Sequence, residues 1–202
     1  MDGYYDYHAT VILERPVLLI GFAGAAYRQV GRDTSSLTGL PFVDVDQWVE
    51  HEAGLSLRAL VAERGKKALA VAQRRLTARA LKAQPPGIIV LGDGAVAQHD
   101  NFAQALQRGF VVYFRQSLSN AYWALRQQVR ERGPLPQPHL PEPLDTIAQL
   151  RPLFAAREPV YEQAHLCIDM EESGIEGAVR TLMQALPAQP DAPGGSALSV
   201  VK

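Results

Sequence analysis

The chain has little cysteine, no long apolar run and almost no net charge. Cys167 is the single cysteine; it excludes an internal disulfide and suits a reducing cytoplasm, the expected location. No apolar run reaches the roughly 18 residues of a membrane span. Formal charge sums to −1, so nothing in the total draws the chain to nucleic acid or an anionic membrane. The histidines (His8, His51, His99, His139 and His165) are scattered without ligand spacing, and no metal site follows from them. The opening MDGYYDYHAT is acidic and aromatic, without the basic start of a secretory signal. It reads as a loose or partner-dependent arm, bounded at residues 1–15. Neither an internal repeat nor a second domain is visible. With 47% hydrophobic and 20% charged residues, the rest reads as one globular domain, residues 16–186. Residues 187–202, with three prolines and Gly194-Gly195, read as a disordered tail.

One further absence is chemical. Val17 to Ile20 is a short apolar run, followed by small residues and then a helical stretch. Strand, small-residue loop and helix make the layout of a phosphate-binding P-loop, G-x-x-x-x-G-K-[ST]. Here the eight positions read Gly21-Phe22-Ala23-Gly24-Ala25-Ala26-Tyr27-Arg28. The second glycine is Ala26, the lysine is Tyr27 and the magnesium-holding hydroxyl is Arg28.

The remaining pattern alternates. Strands are expected at Val17–Ile20, Pro41–Asp46, Ile88–Leu91, Phe110–Phe114 and Leu166–Asp169. Thr10–Glu14 is a short extra strand or the lead-in to the first. Helices are expected at about Tyr27–Leu37, in the stretch carrying Trp48 and Val49, at Leu57–Glu63, Lys66–Gln84, Asn101–Arg108 and Ser119–Glu131, through most of Leu144–Ala164, and at Ile175–Leu186. Gly133–Pro143 holds five prolines and reads as a loop or lid that orders on demand. The alternation implies an α/β fold: a five-stranded parallel sheet with helices on both faces and ligands at the carboxyl ends of the strands.

The order of landmarks resembles the shikimate kinase family over about residues 16–185. Leu19-Ile20-Gly21-Phe22-Ala23-Gly24-Ala25, Val30-Gly31-Arg32, Gly39 to Asp46, Gly92-x-Gly94-Ala95-Val96 and Arg157-Glu158-Pro159-Val160-Tyr161 each match a family segment in order. The resemblance implies a three-layer P-loop kinase-like fold with a helical insert after the second strand and a mobile lid. It assigns Gly21, Gly24, Ala25, Ala26, Tyr27 and Arg28 to the nucleotide loop and Arg126 to the adenine side. Asp46 matches an acid that contacts the shikimate hydroxyls and acts in catalysis, Asp44 lies near the magnesium water shell, and Gly92, Gly94 and Arg157 belong to the substrate side. The departures are the lost lysine and hydroxyl, Ala70 where the family has a carboxylate-binding arginine, and Asp93 as the middle residue of a glycine turn.

Each feature has a plainer reading. Asp44 and Asp46 can be a solvated turn, with Asp46 as a helix cap. Asp93 either repels anions or bonds its own turn backbone. Arg157 binds a carboxylate or pairs with a neighbouring acid on a helix surface. Lys66 and Lys67 form a solvated face. Trp48, Trp123 and Tyr122 have core spacing, and Cys167 is expected to be packed. Arg28, about 100° around the helix from position 27, is not expected to point where the lysine would. Tyr27 is expected in or beside the nucleotide pocket, with its hydroxyl on Asp44 or Asp93 and the loop ordered without ligand. The leading functional expectation is a pseudokinase with no cofactor, binding a small molecule (shikimate-like or another carboxylate) or a protein partner. The alternative is a divergent ATP- and magnesium-dependent kinase using Arg28, Arg32 or Arg126 as the cation, with Asp46 as base or substrate anchor.

Overall fold

Five short, largely apolar strands assemble into one parallel sheet. The structure, a computed structural model, describes residues 11–186. The first ten residues of the expected arm, and the expected tail, lie outside the described residues. The strands are β1 (Val17–Gly21), β2 (Phe42–Asp44), β3 (Ile88–Val90), β4 (Phe110–Arg115) and β5 (Leu166–Asp169). Their order across the sheet is β2-β3-β1-β4-β5, and every pairing is parallel. The helices are α1 (Tyr27–Thr38), α2 (Val45–Ala53), α3 (Leu57–Ala80), α4 (Asp93–Val96), α5 (His99–Arg108), α6 (Leu118–Arg132), α7 (Arg151–Tyr161) and α8 (Met170–Ala185). This is the expected five-stranded α/β fold.

Both faces of the sheet are covered, which is why β1 and β3 are apolar without alternation. Val17, Leu19, Val90, Val112 and Phe114 pack beneath α1 and α8, against Val30, Ala178 and Leu182. Leu18, Ile20, Ile89, Leu91 and Tyr113 face the opposite layer, which contains Val49, Leu76, Phe102, Leu125 and Tyr161. The connection from β1 leads toward β2 on one side, and that from β3 toward β4 on the other. A crevice therefore opens between the carboxyl ends of β1 and β3, the topological switch point of such sheets.

Several local expectations change. The two helices expected at 57–63 and 66–84 are present as the two pieces of α3, parted at Gly65 with φ 81° and ψ 162°, but the second ends at Ala80. Asp46 does not cap α2. Asp44 does, accepting from Asp46 N and Gln47 N. Residues 11–14 form no strand, yet Leu13 is buried in the α1 and α8 layer. Segment 133–143 is folded onto the body by the burial of Leu135 and Leu140. Arg58 of α3 fastens it, donating to Leu135 O at 3.0 Å and Gln137 O at 3.2 Å and pairing with Glu142 at 2.6 Å. Cys167 is exposed, because β5 is an edge strand. Trp123 is 64% exposed, its ring set edge-on to that of Tyr122. No helix among the described residues is long and apolar enough to cross a membrane.

Tyr27 belongs to this core as much as to the loop. It is 2% exposed, and its ring stacks near Phe114 with centroids 6.4 Å apart. Truncating such a ring removes apolar burial and leaves a cavity. Tyr27→Ala is expected to destabilise the fold by about 3 kcal/mol in urea titration. A loss under about 0.5 kcal/mol, the level of a surface substitution, would show that the ring is not packed.

Candidate functional site

The site is built on the loop between β1 and α1. Two close approaches fix its glycines. A Cβ on Gly21 would stand 2.9 Å from Tyr27 Cδ1, so Gly21 makes room for the tyrosine ring. Gly24 has φ +95°, and a Cβ there would stand 2.8 Å from Ala121 O of α6. Ala26 has φ −79°, a conformation any residue adopts, and it starts α1 without a side-chain cap. Ala25 N donates to Phe22 O, closing the turn. The loop is thus held by its own chain.

Tyr27 borders the cleft above this loop, but its ring lies in the apolar layer, over Gly21 and beside Phe114. Burial, reinforced by the nearby carboxylates, keeps the phenol protonated against the pull of Arg28. The expected pairing of its hydroxyl with Asp44 or Asp93 is replaced by other partners on both acids.

Asp44 and Asp46 belong to Arg28. The guanidinium leaves the first turn of α1 and donates through Nη1 to Asp44 Oδ2 and through Nη2 to Asp46 Oδ2, the latter at 2.7 Å. The remaining oxygens are also taken. Asp44 Oδ1 caps α2, and Asp46 Oδ1 accepts from Gln73 Nε2 at 2.9 Å. Gln98 Nε2 in turn donates to Gln73 Oε1 at 2.9 Å. Burial works against the Arg28 charge, but the carboxylates of Asp46 and Asp44 outweigh it. The side chains of Asp44 and Asp46 are 0% and 7% exposed. Removing the arginine would strand two buried carboxylates, a change typically costing about 3–5 kcal/mol.

This arrangement gives Asp44 and Asp46 an arginine as counter-ion at the place where the resemblance implies a hydrated divalent cation. Magnesium needs free carboxylate oxygen or ordered water around it, and all four oxygens of Asp44 and Asp46 already accept N–H donors. The position that would carry a metal-binding hydroxyl carries a positive charge instead. Among the described residues no group of three or more His, Cys, Asp or Glu side chains could hold a metal.

A second charged cluster lies on the other side of the crevice. Asp93 opens α4, separated from β3 by Leu91 and Gly92, and is 2% exposed. Its Oδ1 accepts from Arg157 Nε at 2.9 Å and Tyr161 Oη at 2.6 Å, and its Oδ2 meets His139 Nε2 at 2.7 Å. Burial would raise the Asp93 pKa, but the His139 bond and charge, the Tyr161 bond and the Arg157 charge together hold it below the usual carboxylate value. Burial and Asp93 push the Tyr161 phenol well above its usual range. The expected side-chain bond of Asp93 to its own turn is therefore replaced. Three distant side chains hold the carboxylate instead. Arg157 likewise meets a buried acid from another element, not a neighbour on its own helix surface.

The other site residues are dispersed. Gly92 packs against Asp46, where a Cβ would fall 1.9 Å from Oδ2, and Gly94 faces His139. Arg126 is not brought to the cleft. It donates to Leu144 O at 2.7 Å and pairs loosely with Asp145, so it fastens the chain after the lid segment. The cleft itself encloses about 480 Å³ between the loop, α2, the end of α6 and the lid, with Arg32, Glu50, Gln128 and Arg132 on its walls. A smaller space of about 210 Å³ lies between α3, α4 and the lid, beside Ala70, Gln73, His139 and Arg157. Sequence reasoning missed Gln73, Gln98, His139 and Tyr161. Only Tyr161 carried a signal, lying four residues after Arg157 and thus on the same helical face.

Comparison with known proteins agrees with this fold. A sequence model of the family described as "Shikimate kinase" matches residues 23–187. A shikimate kinase of Symbiobacterium thermophilum is 32% identical over 171 residues, covering 84% of this chain and 95% of that one. One of Stenotrophomonas maltophilia is 33% identical over 174 residues, covering 86% and 92%. Among solved structures, shikimate kinase from Acinetobacter baumannii in complex with shikimate superposes with a TM-score of 0.75 at 24% identity. It covers 87% of this chain and 94% of its own, and at that identity it speaks for the fold. On the family match and these relatives, the chain belongs to the shikimate kinase family.

Proposed function

We propose that this shikimate kinase-family chain does not transfer phosphate from ATP to shikimate and serves instead to bind a small molecule. The observation that carries the reading is Arg28 bonded to both Asp44 and Asp46. Phosphoryl transfer is mostly positioning and charge neutralisation around the phosphates, supplied by a loop lysine and magnesium. Here the lysine position is a core tyrosine. The cation at the next position is spent on two acids, at the place where the resemblance puts a metal and a substrate anchor. Asp46, carrying an ion pair and an amide bond, is a poor general base. Arg32 lines the cleft but is not on the loop, and Arg126 is engaged at Leu144, so neither supplies the missing charge next to the loop amides. The open clefts favour a small ligand over a protein partner. No cofactor is needed for that role, and it suits a cytoplasmic protein.

Two outcomes test this. Purified protein with ATP, magnesium and shikimate is expected to form no ADP above the shikimate-free background. Turnover approaching ~1 s⁻¹, the low end for kinases, would sink the proposal and restore a divergent kinase as the reading.

The second concerns the metal. Mn²⁺, a magnesium surrogate for carboxylate sites, is expected not to bind, leaving its free electron paramagnetic resonance signal intact at millimolar concentration. Arg28→Ser releases one oxygen on each acid and is expected to create binding, seen as loss of that signal. Micromolar Mn²⁺ binding by the unmodified protein would show that the Arg28 bridge yields to a metal.

A further inference from the structure

The layer formed by α1 and α8 carries an apolar groove that stays open among the described residues. On α8 its lining is the stripe Ile175, Val179 and Met183, spaced by four and thus on one helical face. Leu37 of α1 forms the facing wall. Leu37 is 63% and Met183 38% exposed, two of the five exposed large apolar side chains among the described residues. The rim is polar, with Asp33 on α1 and Glu176 and Arg180 on α8. The groove encloses about 400 Å³ and shares no lining residue with either cleft described above.

Two stretches outside the described residues adjoin this layer. Leu13 is buried in it together with Val179 and Leu182, and Val11 packs against it, so residues 1–10 join the chain at its edge. Leu186, just past α8, is buried in the same layer, so residues 187–202 leave from it as well. Their chemistry differs. Residues 1–10 include Tyr4, Tyr5 and Tyr7, with Asp6 between two of the rings. Residues 187–202 contain no aromatic side chain and reach their apolar run, Leu198 to Val201, only after three prolines and Gly194-Gly195. Tyrosine joins an apolar ring to a polar tip. An apolar floor suits the ring, and the carboxylates of Asp33 and Glu176 at the rim can accept from the hydroxyl. The Arg180 guanidinium suits a ring face or the Asp6 carboxylate. Ten extended residues reach about 33 Å, whereas the stripe from Ile175 to Met183 rises only about 12 Å along its helix. A second copy of the chain is a poorer occupant. A stable pairing buries about 800 Å² on each partner, and of the groove's apolar lining only Leu37 and Met183 are exposed.

We propose that residues 1–10 dock back into the groove between α1 and α8 of their own chain, with the rings of Tyr5 and Tyr7 seated between Leu37 and Met183. Side chains two apart on an extended segment point the same way. These two rings therefore enter together, while Tyr4 and Asp6 turn to the rim where Arg180 stands. The docked arm straps α1 to α8 and covers the open part of their layer. Neither cleft takes part, so the proposal stands apart from the small-molecule reading.

The test is photo-cross-linking of the full chain carrying Tyr5→p-benzoylphenylalanine. Benzophenones insert into nearby C–H bonds and favour methionine. Irradiation in dilute solution is expected to link position 5 to Met183 or Leu37 within one chain, as read by peptide mapping of the product of monomer mass. Leu37→Glu, a change at an exposed position, is expected to abolish the link to Met183. Val71→Glu, the same kind of change at an exposed position of α3, is expected to leave it intact. The same probe introduced as Val200→p-benzoylphenylalanine is expected not to label the groove. Links from position 5 only to elements other than α1 and α8, or no link at all, would overturn the proposal. So would products of dimer mass alone, or labelling of the groove from position 200 and not from position 5. Persistence of the link to Met183 in the Leu37→Glu protein, or its loss in a folded Val71→Glu protein, would overturn it too.

Discussion

The bridge from Arg28 to Asp44 and Asp46 is the contact on which the rest of the site depends. It ties the first turn of α1 to the end of β2 and the start of α2, elements 16 and 18 residues away along the chain. Through Asp44 it reaches the cap of α2, and through Asp46 it reaches Gln73 and Gln98. Loop, sheet edge and helical insert thus share one polar network. Networks of buried polar groups are rigid when every member is satisfied and costly when one is not. An ordinary nucleotide site leaves such acids partly free, to be satisfied by metal and substrate. Here the chain satisfies them itself.

Tyr27 follows from the same economy of space. A lysine at the start of α1 would need a polar partner beside the loop. A tyrosine instead joins the layer under α1, where Gly21 leaves a gap for its ring and Phe114 flanks it. Gly21 therefore has a packing reason to be glycine, independent of any phosphate. The backbone of a P-loop can persist on such grounds: Gly24 is required by the approach of Ala121 of α6, and Ala26 sits at a φ that needs no glycine. Loop shape and loop chemistry are separable, and here the shape has local causes.

The fold was legible in the sequence because its signals are local. Apolar runs such as Ile88-Ile89-Val90 mark buried parallel strands, Gly39 and Gly54 end helices in the left-handed conformation, and Pro85-Pro86-Gly87 separates α3 from β3. The candidate site was only partly legible. That residues 21–28, 44, 46 and 92–94 lie at one end of the sheet could be read from their places after strands. Who partners whom could not. The reach of Arg28 depends on a long side chain crossing from α1 to β2, which helical angle alone does not reveal. The partners of Asp93 were not legible because His139, Arg157 and Tyr161 are 46, 64 and 68 residues distant. Cys167 and Trp123 were misplaced because apolar type does not say which face of an edge strand or outer helix remains uncovered.

The two charged clusters share one principle. In each, a buried ionic side chain that could serve a ligand serves another part of the chain: Arg28 for the acids, Asp93 for Arg157. A binding site commonly stores instability, holding like charges or unpaired groups that only its ligand relieves. Internal pairing removes that instability and with it the strongest electrostatic reason to bind a charged ligand. What remains is shape: a cleft of about 480 Å³ and a smaller space of about 210 Å³, with polar walls whose charges are matched. Burial of apolar surface and hydrogen bonds can still act in such spaces. The charge pairing thus changes the electrostatics at the carboxyl ends of the strands while leaving the backbone of the fold in place.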